Sequence, residues 1–229
     1  MPKYRSEKLI KQQRKKIFSY VLITIFFIAL ITFLFSLASK VEGINIKQVN
    51  IKGNKVLPTK VLEDNIKVFI EGDYLGLFSR ANIAFYPRRK IEETLLENFK
   101  IIEEIDIDFG NLQMIDVAIQ EREPYAVWCS SDEKCYFLDK KGFIFDEAPD
   151  FSGDVYFKYY GGLDESGMVG KYFLNVVEFK RVNLLLNDFA KNLILFEKFI
   201  VRMDGDYEVY LEENASVRLT GIIITLVMM

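Results

Sequence analysis

From Ile17 to Leu37 the chain reads IFSYVLITIFFIALITFLFSL, without charge, proline or glycine. About twenty apolar residues suffice for an α-helix to cross a bilayer core about 30 Å thick. Lipid offers the backbone no partner, so helix is the form to expect. Beyond this run the apolar positions follow two periods. Ile44, Ile46, Val49 and Ile51 predict a strand whose alternation slips once near Lys47-Gln48. Gly53-Asn54 supplies a turn. Pro58-Thr59 then opens a helix with Val61, Leu62, Ile66, Phe69 and Ile70 at helical spacing, closed by Gly72. The stretch 73–86 is irregular and aromatic, with Tyr74, Phe78, Phe85 and Tyr86. Pro87 sits at the start of a second helix, where its missing N–H costs nothing. Ile91, Leu95, Leu96 and Phe99 form that helix's stripe. Two alternating strands follow, Ile101–Phe109 and Met114–Gln120, with the turn expected at Gly110-Asn111. The order over 43–123 is strand, helix, helix, strand, strand.

From Pro124 onward the pattern is richer in strands. Ala126–Cys129 and Cys135–Leu138 are short strands, Asp139–Gly142 a turn, and Phe143–Phe145 a strand that pairs back. Between Ala148 and Gly170 the chain loosens around its glycines, with one strand expected at Val155–Tyr160. Val176, Val177, Phe179, Val182, Leu185, Leu186 and Phe189 mark an amphipathic helix. Ile194–Met203, Tyr207–Leu211 and Ser216–Thr220 then read as strands. A helix lying on a curved antiparallel sheet fits this order. The fold class is therefore α+β: a transmembrane helix over 17–37, a first outer domain over 43–123 and a β-rich domain over 124–229.

Charge orients the chain. Residues 1–16 carry seven positive charges against Glu7, a net of +6, while the whole chain is −3. The remainder is therefore at about −9. Basic flanks stay in the cytoplasm, which predicts a cytoplasmic tail and an extracytoplasmic bulk, N-terminus in and C-terminus out. A cleaved signal peptide is the competing reading, because Ser36-Leu37-Ala38 offers a small-x-small site. The apolar run exceeds the 7–15 residues of a signal core, which favours a retained anchor. An acidic outer part argues against nucleic acid as partner.

Candidate chemistry is sparse. The sequence has no histidine, which excludes Ser-His-Asp and Cys-His catalysis and the commonest zinc ligand sets. Cys129 and Cys135, with five residues between them and beyond the anchor, admit a disulfide at a hairpin mouth; two free thiols are the other possibility. Asp139 suits a turn, where its carboxylate can accept backbone N–H bonds, and Gly142 can take a positive φ. Without a second carboxylate at defined spacing, Asp139 reads as a turn residue rather than a catalytic acid. Glu121-Arg122 reads as a solvated ion pair at a domain boundary rather than an active-site couple. Gly161-Gly162 lacks the frame of a phosphate loop. No catalytic, cofactor or metal residues are assigned, and no small-molecule substrate is expected.

Three stretches carry a family resemblance. Val49-Asn-Ile51-Lys-Gly53-Asn54, Pro87 with its helix, and Val117-Ala-Ile119-Gln-Glu121-Arg122-Glu123-Pro124 resemble a POTRA domain, the last through an apolar-x-apolar-x-Glu-Arg-x-Pro pattern. Leu138-Asp139-Lys140-Lys141-Gly142-Phe143-Ile144-Phe145 resembles the Asp-x-x-Gly signature that follows that domain in the FtsQ/DivIB division proteins. With the basic tail and single anchor, the chain resembles the FtsQ/DivIB family from its tail to about Thr220. The resemblance implies a non-enzymatic divisome scaffold in the cytoplasmic membrane. It would gather other division proteins at the septum, such as bitopic proteins like FtsB and FtsL. The runner-up is a POTRA-containing component of protein transport or outer-membrane assembly, which calls for repeated modules or a following barrel. An anchored wall enzyme is third and would need a Ser-Lys pair, with Ser130, Ser131 and Ser152 as the serines considered. One departure stands out. The family continues past Ser216–Thr220 through a further helix and a last strand that carries much of the partner-docking surface. Here Gly221–Met229 follows instead, an apolar run too short to span a membrane. It reads as an alternative final strand or as the product of a truncated or shifted frame. The partner-docking residues are accordingly unassigned.

Overall fold

The computed structural model describes residues 7–151, 155–164, 167–191, 196–202, 204–211 and 216–219. Helix α1, Glu7–Ser39, opens the chain. Its segment Lys11–Ser39 is long and apolar enough to cross a membrane, and its side chains are almost all exposed. The remainder follows in the order β1 (Gln48–Lys52), α2 (Thr59–Ile70), β2 (Asp73–Tyr74), β3 (Phe78–Ser79), α3 (Arg88–Asn98), β4 (Ile102–Asn111) and β5 (Met114–Glu121). Then come β6 (Ala126–Cys129), β7 (Cys135–Leu138), β8 (Ile144–Glu147), β9 (Lys158–Gly161), α4 (Val176–Lys191), β10 (Phe196–Val201), β11 (Tyr207–Leu211) and β12 (Ser216–Leu219). The architecture is α+β, with strand, helix, helix, strand, strand after the apolar helix and a strand-rich region with one helix after that. Two compact units divide it: Met1–Leu95 with Ile105–Ile119, and Leu96–Glu104 with Gln120–Met229.

In the first unit, β1 runs parallel to β5 in register from Gln48↔Met114 to Lys52↔Ala118, and the sheet order is β1-β5-β4. Parallel neighbours cannot be joined by a tight turn, and the two helices make the crossover. Ile115, Val117 and Ile119 alternate to the buried side of β5. Leu62, Ile66 and Ile70 recur every four residues on α2, and Ile91 and Leu95 do so on α3; all are buried. Val61 and Leu96, expected on those stripes, are exposed.

Several boundaries differ from the expectation. The strand expected from Ile44 begins only at Gln48; Glu42–Ile44 forms a 3-10 turn and Asn45 a lone bridge to Asn82. The slip at Lys47-Gln48 is where both N–H groups converge on the Gln113 carbonyl, at 2.8 and 3.1 Å. Gly110-Asn111 is not the turn: β4 runs through both residues and the reversal falls at Leu112-Gln113. There the Asn111 side chain accepts from the Gln113 N–H at 2.8 Å. The irregular stretch 73–86 contains the small β2–β3 hairpin, paired Asp73↔Ser79 and Tyr74↔Phe78.

The second unit is built on a seven-stranded sheet in the order β12-β11-β10-β9-β6-β7-β8. The expectation of antiparallel pairing holds towards both ends and is amended at the centre, where β9 runs parallel to both β10 and β6. Strand β9 also starts at Lys158, later than Val155. Strand β6 is buried on both faces, as a central strand must be. Ala126 and Trp128 join the core made with α4, while Val127 and Cys129 join a smaller cluster with Ala148. Phe179, Val182, Leu185 and Leu186 press α4 onto that larger core; Val176 and Val177, counted in the stripe, are exposed at its first turn. Tyr159 lies at its centre, 5.3 to 5.7 Å ring to ring from Phe173, Phe179 and Phe199. Gly221–Met229 and Ser152 lie outside the described residues.

Candidate functional site

Arg122 and Asp139, from the two separate family motifs, meet within the second unit. Arg122 follows β5, and its N–H donates to the Ile101 carbonyl at 2.7 Å. Its Nε donates to the Lys100 carbonyl at 3.1 Å and its Nη1 to Asp139 Oδ2. The guanidinium carbon stands 4.2 Å from the centroid of the Phe143 ring. The Arg122 and Asp139 side chains keep only 11% and 6% of their exposure, which corrects the expectation of a solvated Glu121-Arg122 pair. Arg122 instead finds its carboxylate partner at Asp139. Glu121 itself is buried.

Asp139 holds its own turn as well. Its Oδ1 accepts the N–H groups of Lys141 at 2.8 Å and Phe143 at 2.9 Å. Backbone bonds close the turn, Gly142 N–H to the Asp139 carbonyl and Asp139 N–H to the Phe143 carbonyl, both at 3.0 Å. Gly142 sits at φ +80, and a Cβ there would lie 2.7 Å from Cγ of Phe179. Glycine is needed for both the left-handed backbone and the space. Beside the turn, Lys141 Nζ donates to Glu103 Oε1 at 2.7 Å. That hydrogen bond holds the Glu103 carboxyl below its ordinary range and raises Lys141.

The other motif residues lie elsewhere. Gly53, in the first unit, has φ +89, and a Cβ would fall 2.1 Å from the Ile119 carbonyl oxygen. The Asn54 amide donates to the Leu57 carbonyl at 2.7 Å and to Thr59 Oγ1 at 3.0 Å, shaping the entry to α2. Pro124 is exposed just before β6. Cys129 and Cys135 are directly opposite across β6 and β7 and form a disulfide. Ser130 N–H donates to the Lys134 carbonyl in the turn between them.

Among the described residues, no lysine is buried and no cluster of acidic or cysteine side chains could hold a metal ion. Every carboxylate oxygen of Asp139 and three donors of Arg122, including its backbone N–H, are engaged by the protein. The pair therefore fixes chain geometry. Sequence reasoning missed the pairing because the partners are seventeen residues apart with no shared periodicity. It also missed buried Ser36 and Ser39 at the end of α1. Ser36 Oγ donates to the Leu77 carbonyl, and Ser39 Oγ accepts the Ser79 N–H.

Fold and motif geometry together define a class: α+β proteins with one apolar helix of spanning length ahead of two sheet-based units. Two relatives are similar to the chain. The chain is 29% identical over 134 residues to Cell division protein DivIB of Clostridium botulinum (strain Loch Maree / Type A3), covering 58% of this chain and 46% of that protein. It is 25% identical over 209 residues to Cell division protein DivIB of Clostridium botulinum (strain Hall / ATCC 3502 / NCTC 13319 / Type A), covering 88% of this chain and 75% of that protein. The chain thus spans about half the length of the first relative. No family model matches it. Both relatives carry the same name, and their similarity to this chain supports assignment to the FtsQ/DivIB family.

Proposed function

We propose that this protein is a non-enzymatic divisome scaffold, anchored in the cytoplasmic membrane by α1 with its N-terminus inside and both units outside. It gathers other division proteins at the septum, bitopic proteins of the FtsB and FtsL kind among them, by binding alone. The observation that carries this reading is the alignment over 88% of the chain with Cell division protein DivIB. The apolar helix following a basic tail supports the anchor and its direction. Burial of Ser36 and Ser39 against the first unit supports retention of that helix, because cleavage after Ala38 would divide the contact.

Strands β12 and β8 end the order of the seven-stranded sheet, so among the described residues each has one sheet neighbour. A terminal strand offers a row of backbone donors and acceptors on which an extended segment of another protein can pair. Ser216, Val217 and Arg218 of β12 are exposed. Depletion in the source cells, with imaging of a fluorescent fusion, tests the proposal. Filamentation with recruitment to midcell is the expected result. Normal division with a uniform membrane signal would overturn it.

A further inference from the structure

We infer that the first unit makes a second contact with the bilayer: the tip of the β2–β3 hairpin, through Leu75 and Leu77, enters the lipid interface beside the end of α1. This rests on reading α1 as a membrane span. Two hydrogen bonds give the hairpin its direction. Ser79 N–H donates to Ser39 Oγ at 3.3 Å, and Ser36 Oγ donates to the Leu77 carbonyl at 2.5 Å. Passing from Ser79 to Leu77, towards the tip, therefore matches passing from Ser39 to Ser36, back along the helix into its apolar run. At about 1.5 Å per residue this sets the tip level with the last turn of the charge-free segment.

The docking is fixed rather than loose. Ser36, Ser39, Ser79 and Asn82 are all buried, and the Asn82 amide donates to the Ser39 carbonyl at 3.0 Å. Lys40 Nζ reaches across to Asp73 Oδ2 at 2.7 Å and the Gly76 carbonyl at 3.1 Å.

What the hairpin presents at that level is apolar. Leu75 is 96% exposed and Leu77 41%. Single exposed leucines are ordinary on soluble surfaces. Leu75 differs in being held at φ +51, a left-handed conformation where glycine or asparagine is usual. Leucine therefore contributes nothing to the turn or to the unit's core, and its side chain serves whatever lies outside. Arg80 completes the chemistry. Its guanidinium stands 5.3 Å from the Tyr74 ring centroid, one residue beyond Ser79 and so on the side of the hairpin away from the tip. Apolar tips with a cation just above them are how interfacial segments hold to membranes.

The full chain in phospholipid vesicles tests this, carrying single cysteines labelled with an environment-sensitive dye at Leu75→Cys and, separately, Leu77→Cys. Ile28→Cys on α1 marks the lipid interior. Val56→Cys serves as the reference outside the hairpin, exposed in the turn that opens α2 at the opposite end of that helix. The expected result is emission from positions 75 and 77 shifted to shorter wavelength than at position 56, and quenched by lipids brominated near the headgroup end of their chains. Emission at 75 and 77 matching position 56, with position 28 in lipid, would overturn the hairpin contact alone. An aqueous signal at position 28 would overturn the spanning helix and the hairpin contact with it.

Discussion

Asp139 receives the guanidinium of Arg122 on one carboxylate oxygen and two backbone N–H groups of its own turn on the other. A surface turn is thereby tied to the residue that leaves β5, and both charges are removed from water. Breaking a buried pair by deleting one partner typically costs about 3–5 kcal/mol, because the other charge is stranded. Arg122→Ala and Asp139→Ala should each lower stability by that order in chemical denaturation of the full chain in detergent. The double variant should lose clearly less than the sum. Arg122→Lys should rescue only part, since an ammonium cannot reach Lys100 and Asp139 while covering Phe143 as the guanidinium does.

Gly142 and Gly53 should both resist alanine, for related reasons of different strength. At Gly142 the added Cβ meets the root of the buried Phe179 ring at 2.7 Å; at Gly53 it meets the Ile119 backbone carbonyl oxygen, closer still at 2.1 Å. Gly205, also at positive φ, opens onto empty space. Gly205→Ala should cost about 1 kcal/mol from backbone strain alone, and the other two about 2 kcal/mol or more. Thermal unfolding of the three variants should rank them Gly53, Gly142, Gly205 from most to least damaging.

The Cys129–Cys135 disulfide closes a short loop of separation six. Chain-entropy reasoning gives such a loop about 2 kcal/mol. Reduction, or a Cys129→Ala, Cys135→Ala double variant, should lower the denaturation midpoint by a corresponding amount. It should not unfold the sheet, because β6 stays paired with both β7 and β9.

Stability should depend on pH at both ends. The hydrogen bond from Lys141 lowers the Glu103 pKa from 4.5 in the folded chain. Its contribution is therefore present above about 4.5 and lost as pH falls through the folded value. It is small, because water screens so open a pair. Lys141→Ala should move the Glu103 carboxyl resonance midpoint upward in an NMR titration. Burial raises the Tyr159 and Tyr207 phenols above their ordinary 10.0, Tyr207 also through its hydrogen bond to Glu178. Their contribution is complete below pH 10 and declines as pH rises beyond it, which alkaline denaturation followed by tyrosinate absorbance should display.

Element type was legible wherever periodicity ran long. The helices at α2, α3 and α4 and the strands β5, β7 and β11 follow from apolar spacing, because burying one face selects residues at the period of that face. Boundaries were less legible where a hydrogen bond from outside the segment decided them. Strand β1 begins at Gln48 only because Gln113 captures both N–H groups at its mouth. The β2–β3 hairpin is held against the end of α1 by serine and asparagine contacts that leave no apolar signature.

By itself, the sequence determined an apolar helix of spanning length with a basic flank, two sheet-forming stretches behind it, and the absence of histidine chemistry, because length, charge and period are local properties. Tertiary structure alone decided that β9 would lie parallel between β10 and β6, that Arg122 would pair with Asp139, and that Leu75 would be held out at the foot of the helix. Each of these depends on which distant backbone or charge comes within about 3 Å, the reach of a hydrogen bond, and no local pattern carries that distance.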